Sequence, residues 1–177
     1  GLNSRSDGPT QTVFAVRGIG TNAFGVGVDA SVGVFVDDVY LGHPVLANTS
    51  FFDVERIEVV KGPQGTLFGR NTSAGAISVI SKKAIFGENT TEAKGGFGTE
   101  GQILAQGVVN FATGENGAVR FGAKLEERDG SFKNLTTGNE LNNKKNMIFR
   151  AGWNQDLSEN VNINLMTEIM TDDSRWG

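Results

Sequence analysis

The chain has 177 residues, 38% apolar and 20% charged, a balance that supports a buried core and excludes a wholly disordered segment. A net charge of -4 with scattered cations excludes a nucleic-acid binder. The lack of cysteine excludes disulfides, thiolate metal sites and CxxC redox chemistry.

The N-terminal stretch GLNSRSDGPTQT has none of the charged, apolar and cleavage regions of a signal peptide, and no run of about 18 apolar residues comes after it. A membrane-spanning helix is therefore not expected, which leaves soluble proteins and β-barrels. The 25 glycines, against three prolines and no collagen period, point to β architecture with tight backbone approaches.

Four short runs rich in Val, Ile and Phe come first: TVFAVRG (12–18), VGVFVDDVYLG (32–42), RIEVVKG (56–62) and GAISVIS (75–81). All predict strands, the second a hairpin turning at Asp37 and Asp38. That turn is not optimal, because Asp takes positive φ less readily than the Gly of an Asp-Gly pair. Only TLFGRN and parts of 44–55 could hold a helical turn.

The segment KKAIFGENTT (82–91) breaks this pattern and leads into longer alternating strands. Over 119–126, Val119, Phe121, Ala123 and Leu125 share one face, opposite Arg120, Gly122, Lys124 and Glu126. Ile103, Ala105, Val109 and Phe111 repeat the pattern against Gln102, Gln106 and Asn110. Met147, Phe149, Ala151 and Trp153 do so against Asn146, Arg150 and Asn154, and Val161, Ile163, Leu165 and Ile169 against Asn162, Asn164 and Glu168. A weaker strand, EAKGGFG (92–98), precedes them.

Connections alternate between short (113–117), long (129–144) and short (156–160), with Phe111 and Trp153 beside the short turns. Short turns at one end, long loops at the other and an aromatic girdle form the pattern of a transmembrane β-barrel. A soluble antiparallel sheet with one wet face alternates in the same way. Alternation by itself favours the soluble sheet, since the barrel signal is weak in each strand.

Candidate chemistry is sparse. GTLFGRNT (65–72) has the wrong spacing for a phosphate-binding P-loop and no Lys before the hydroxyl. GVGVDA (25–30) satisfies the dinucleotide fingerprint formally, but an alternating strand pattern stands where a helix is required. His43 is the only histidine and cannot build a zinc site alone. Asp37 and Asp38 read as solvated turn formers rather than an acid–base pair. Asn48, Asn71, Asn89 and Asn134 head N-x-[ST] sequons that arise by chance in a chain rich in Asn and Thr. No catalytic residue, metal site or cofactor is expected.

The stretch FFDVERIEVVKGPQGTLFGRNTSAGAISVISKK (51–83) closely resembles the end of the plug domain of TonB-dependent outer-membrane receptors. VRGIG (16–20) and VGVFVDDVYLG (32–42) match two further plug motifs in order, and the strands after 91 fall where that family's barrel begins. The resemblance implies a mainly β fold: a small mixed-sheet α+β plug at 1–83, a connector at 84–91, and about five antiparallel strands of an incomplete barrel at 92–177. The closed barrels of the family have about 22 strands, so the chain is expected to be a fragment lacking the TonB box, the start of the plug and most of the barrel.

The resemblance implies uptake of a bulky scarce nutrient, most naturally a ferric siderophore, through a monomeric barrel in outer-membrane lipid, with TonB as energy-coupling partner and no bond-breaking step. Arg17 and Lys61 match the family's plug–barrel contacts. Gly18, Gly62, Gly65, Gly69 and Gly75 are the expected turn glycines, with the loop carrying the chain from a central plug strand into the strand before the barrel. Asn22, Phe24, His43, Val45 and Leu46 lie in loops that match the substrate-facing apices. Two rivals from other classes are a soluble periplasmic or secreted β-rich binding module, whose strands would bury their apolar face in water, and a nucleotide-binding enzyme using residues 25–30.

Overall fold

A computed structural model describes residues 1–6, 12–21, 30–42 and 51–175. These divide into two compact units, Gly1–Ser81 and Lys82–Gly177. The chain is mainly β, with one helical turn among the described residues.

The first unit holds two small sheets. Strands β1 (Leu2–Ser6), β2 (Thr12–Val16) and β3 (Ile19–Gly20) form an antiparallel three-stranded sheet. Strands β4 (Val32–Val36), β5 (Val39–Tyr40), β6 (Val54–Lys61) and β7 (Gly75–Ser81) form the second, in the order β5-β4-β7-β6. It is mixed: β4 and β7 run parallel, while β5 and β6 are antiparallel to their neighbours.

Burial tracks this order. Strands β4 and β7, flanked on both sides, are almost wholly buried, as continuous apolar runs between two neighbours should be. Val16, Val32, Ala74, Ile77 and Val79 form the core, with Phe14, Val36 and Val54 packed against it. The strand expected to be central in the plug, β6, lies instead at the sheet edge. Glu55, Arg56 and Glu58 explain this placement, because charged side chains blunt an edge and would be costly inside. Arg56 bridges both carboxylates at 2.8 Å, all exposed, so these pairs add little stability.

The second unit is one antiparallel meander. Its strands are β8 (Thr90–Phe97), β9 (Ile103–Ala112), β10 (Gly117–Arg128), β13 (Lys144–Ser158) and β14 (Val161–Asp172). The long loop after β10 carries a two-stranded ribbon, β11 (Phe132–Lys133) and β12 (Glu140–Leu141), that the sequence did not signal. The strand order is β14-β13-β10-β9-β8, and the sheet is open, with β8 and β14 at its edges. No helix among the described residues is long and apolar enough to cross a membrane, which says nothing of strands.

The faces of this sheet are inverted relative to a water-soluble one. Phe121, Phe149, Leu165 and Ile169 lie on one face and are 47 to 64% exposed. On the other, Asn110, Arg120, Asn146 and Arg150 are at most 6% exposed. The soluble rival requires the opposite arrangement.

Candidate functional site

Three sets of residues could carry function: the plug turns, the polar face of the meander, and the segment leading into it. Arg17 and Gly18 form the β2–β3 turn, with φ of 53° and 80°, the pair of left-handed residues that a tight hairpin requires. Arg17 is exposed, and among the described residues its side chain makes no ion pair. Lys61, the last residue of β6, is likewise exposed.

The glycine-rich loop after Lys61 extends the β6–β7 ladder before it turns. Gly62 N–H donates to the Ala74 carbonyl and Gln64 N–H to that of Thr72. A single helical turn, α1 (Gly65–Phe68), forms the tip and sets Phe68 against Phe35, ring centroids 4.9 Å apart. Asn71 donates to the Tyr40 hydroxyl at 2.9 Å, tying loop to hairpin. Thr72 Oγ1 donates to the Gly69 carbonyl at 2.8 Å, so among the described residues the loop's polar groups are spent within the fold rather than turned to a phosphate.

Its glycines serve unequal purposes. Gly62 and Gly69 take positive φ of 94° and 78° in open space. Gly75 is needed for proximity, since a Cβ there would sit 2.5 Å from the Val60 carbonyl oxygen. Gly65 corrects the expectation: it opens the helical turn without positive φ, and its Cβ position is empty, so no close approach depends on it.

Asp37 and Asp38 turn the β4–β5 hairpin with φ of 47° and 67°. Asp38 is exposed, but Asp37 is not the solvated turn former expected. Its N–H donates to the Val79 carbonyl and its Oδ1 accepts the Ser81 N–H at 2.9 Å. The side chain thus continues the β4–β7 ladder beyond the end of β4. The second carboxylate oxygen, Oδ2, is buried without a hydrogen-bond partner among the described residues.

The apical candidates Asn22, Phe24, His43, Val45 and Leu46, and most of the GVGVDA stretch, lie outside the described residues. Strand β4 comes directly after that stretch, in place of the helix that a dinucleotide site needs.

The polar face of the meander carries paired charges. Arg150 donates from Nε and Nη2 to Glu168 Oε2, at 2.8 and 2.5 Å. Lys124 and Lys144 flank Glu126 at 3.1 and 2.7 Å, and Arg120 lies 3.7 Å from Glu92. On the apolar face, Phe111, Val119, Trp153 and Leu165 fall in one row across β9, β10, β13 and β14. Among the described residues no group of His, Asp and Glu is arranged to hold a metal.

The segment before β8 is held against the strands by side chains that no motif singles out. Asn110, fully buried on β9, accepts the Ile85 N–H at 2.9 Å. Its amide donates to the carbonyls of Ile85 and Glu88 at 2.9 and 2.7 Å. Asn154 donates to the Ala84 carbonyl at 3.0 Å, Asn89 accepts the Ala112 N–H at 2.9 Å, and Lys82 pairs with Glu92. In sequence these asparagines are ordinary polar-face or sequon residues; only the fold brings them to a backbone.

Comparison with known proteins agrees with this geometry. Residues 1–76 match the TonB-dependent receptor plug domain. A vitamin B12 transporter, BtuB of Vibrio vulnificus, is 26% identical over 125 residues, 68% of this chain and 20% of its own length. The catecholate siderophore receptor Fiu of Escherichia coli K12 is 39% identical over 57 residues, 32% of this chain and 7% of its own. The ferric yersiniabactin uptake receptor FyuA of Yersinia pestis superposes with a TM-score of 0.77 at 19% identity, over 98% of this chain and 28% of that one.

A small mixed sheet followed in sequence by an antiparallel meander is the fold this chain shares with that solved receptor. The chain is related to the TonB-dependent receptors of the bacterial outer membrane, and residues 1–76 are its plug-domain sequence. It spans about a quarter of the solved receptor and at most a fifth of these two curated relatives.

Proposed function

We propose that this chain supplies the plug and first wall strands of a receptor that takes up a bulky, scarce nutrient across the outer membrane, with a ferric siderophore as substrate class. The observation that carries the reading is the inverted meander directly after a plug-domain sequence: apolar side chains face outward and ion pairs line the other face. Such a sheet suits lipid on one side and an aqueous lumen on the other.

In this reading residues 1–83 are the plug, 84–91 the connector and 92–177 the start of the wall. Arg17 and Lys61, both exposed, are available to pair with wall carboxylates, and residues 22, 24, 43, 45 and 46 meet substrate. TonB supplies the energy, and the completed barrel is monomeric and surrounded by lipid. The related proteins are transport receptors, which supports a binding and transport role rather than catalysis.

Cobalamin is the second substrate reading, favoured by the longer span of the BtuB match. The two separate in one experiment. A strain lacking its own siderophore and cobalamin receptors is given the receptor carrying this chain, and uptake of labelled ferric siderophores of the catecholate, hydroxamate and carboxylate classes and of labelled cobalamin is measured. Iron uptake alone supports the first reading, cobalamin uptake alone the second, and neither removes both.

A further inference from the structure

The residues between β7 and β8 are more firmly held than a passive linker needs to be. The Asn110 amide accepts one hydrogen bond and donates two, and all three are spent on the backbone of residues 85–88. Because Asn110 is fully buried and makes all three bonds, replacing it removes them together. Asn154 and Asn89 add attachments on either side, and Ala84 is 3% exposed. The loop at 62–75 is closed by backbone pairs, Gly62 to Ala74 and Gln64 to Thr72, together with the Asn71 and Thr72 side chains.

We infer that Asn110 is a positioning residue that fixes the connector to the wall strands, so that plug rearrangement during uptake ends at residue 81 and residues 84–89 stay in place. This rests on the reading of the chain as a plug-gated receptor. Asp37 complements this from within the plug, since its carboxylate holds the N–H of Ser81, the last residue of β7.

The test uses the receptor carrying this chain, in outer membranes. At rest, hydrogen exchange of the peptide spanning 82–91 is expected to be slow in the native protein. In Asn110→Leu it is expected to accelerate about tenfold, and in Asn110→Asp, which turns a carboxylate oxygen against the Ile85 and Glu88 carbonyls, by at least as much. In energised cells, maleimide is expected to label Ala76→Cys in the plug core but not Ala84→Cys; adding Asn110→Leu should open Ala84→Cys to labelling.

Labelling of Ala84→Cys alongside Ala76→Cys in an otherwise native receptor overturns the inference, as does unprotected exchange of 82–91 at rest. If neither cysteine is labelled on energising, the plug-gating reading fails separately. The resting exchange then decides the clamp, an unchanged rate in Asn110→Leu overturning it.

Discussion

The two units solve opposite solvation problems with similar residues. In the first, Val, Ile and Ala of β4 and β7 are buried, and charges go to the edge strand β6. In the second, Phe, Leu and Ile point outward, while Arg120, Arg150, Asn110 and Asn146 are buried. Both use strands of alternating or continuous apolar residues, so composition does not distinguish them. The difference lies in which side chains are buried, and this makes the sign of a substitution's effect depend on the unit.

The largest expected effect is in the plug core. Ile77→Ala removes a side chain that is 1% exposed at the centre of the first unit. It should cost about 2 to 5 kcal/mol of local stability, since transfer and cavity terms add. Hydrogen exchange of the β7 peptide measures it. A loss below about 1 kcal/mol would mean the first unit is not organised by this core.

On the meander the apolar residues should respond to lipid rather than to packing. Phe121→Lys places a charge on the outward face and should cost about 2 to 4 kcal/mol on folding into phospholipid vesicles. Gln106→Glu, on the opposite face between Lys94 and Lys124, should cost little. Urea titration of the two variants sharpens the contrast, and equal losses would break it.

Ion pairs on the polar face should come next. Glu168→Gln removes the carboxylate that accepts two bonds from Arg150 and should cost about 1.5 to 3 kcal/mol, the range for hydrogen bonds to charged groups. The exposed Glu58→Gln at the plug edge should stay within about 0.5 kcal/mol. The same chemical change is thus weighed by burial in the two units, and urea unfolding reads both.

Much of this contrast is legible in the sequence. Period-two alternation locates β9, β10, β13 and β14, and the apolar runs locate β2, β4, β6 and β7, because in each the pattern reports a face or a flanked position. Strand β1 is not legible: its LNSRS stretch has no strand signal of its own and is ordered by pairing with β2. The β11–β12 ribbon, two residues per strand, is too short to show a period. The edge position of β6 escapes a local reading, since the sheet order depends on β4 and β7 pairing in parallel across the intervening chain. Asn110 is legible as a polar-face residue, but its role requires knowing that residues 85–88 pass over it.

The smallest effect tests how far local rules yield to the tertiary frame. Asp38 holds φ of 67° at the β4–β5 turn, where Gly is at ease and Asp is not. Asp38→Gly should stabilise the first unit by about 0.5 to 1 kcal/mol, the relief of left-handed strain outweighing the added freedom of the unfolded chain. Asp37→Gly should instead destabilise it, because there the carboxylate accepts the Ser81 N–H and leaves with the side chain. Two neighbouring aspartates of one turn with opposite responses, read by exchange of the β4 and β7 peptides, would separate turn geometry from the ladder that Asp37 extends. Equal responses would mean that the hairpin tip, and not its tie to the end of β7, is what the sequence maintains.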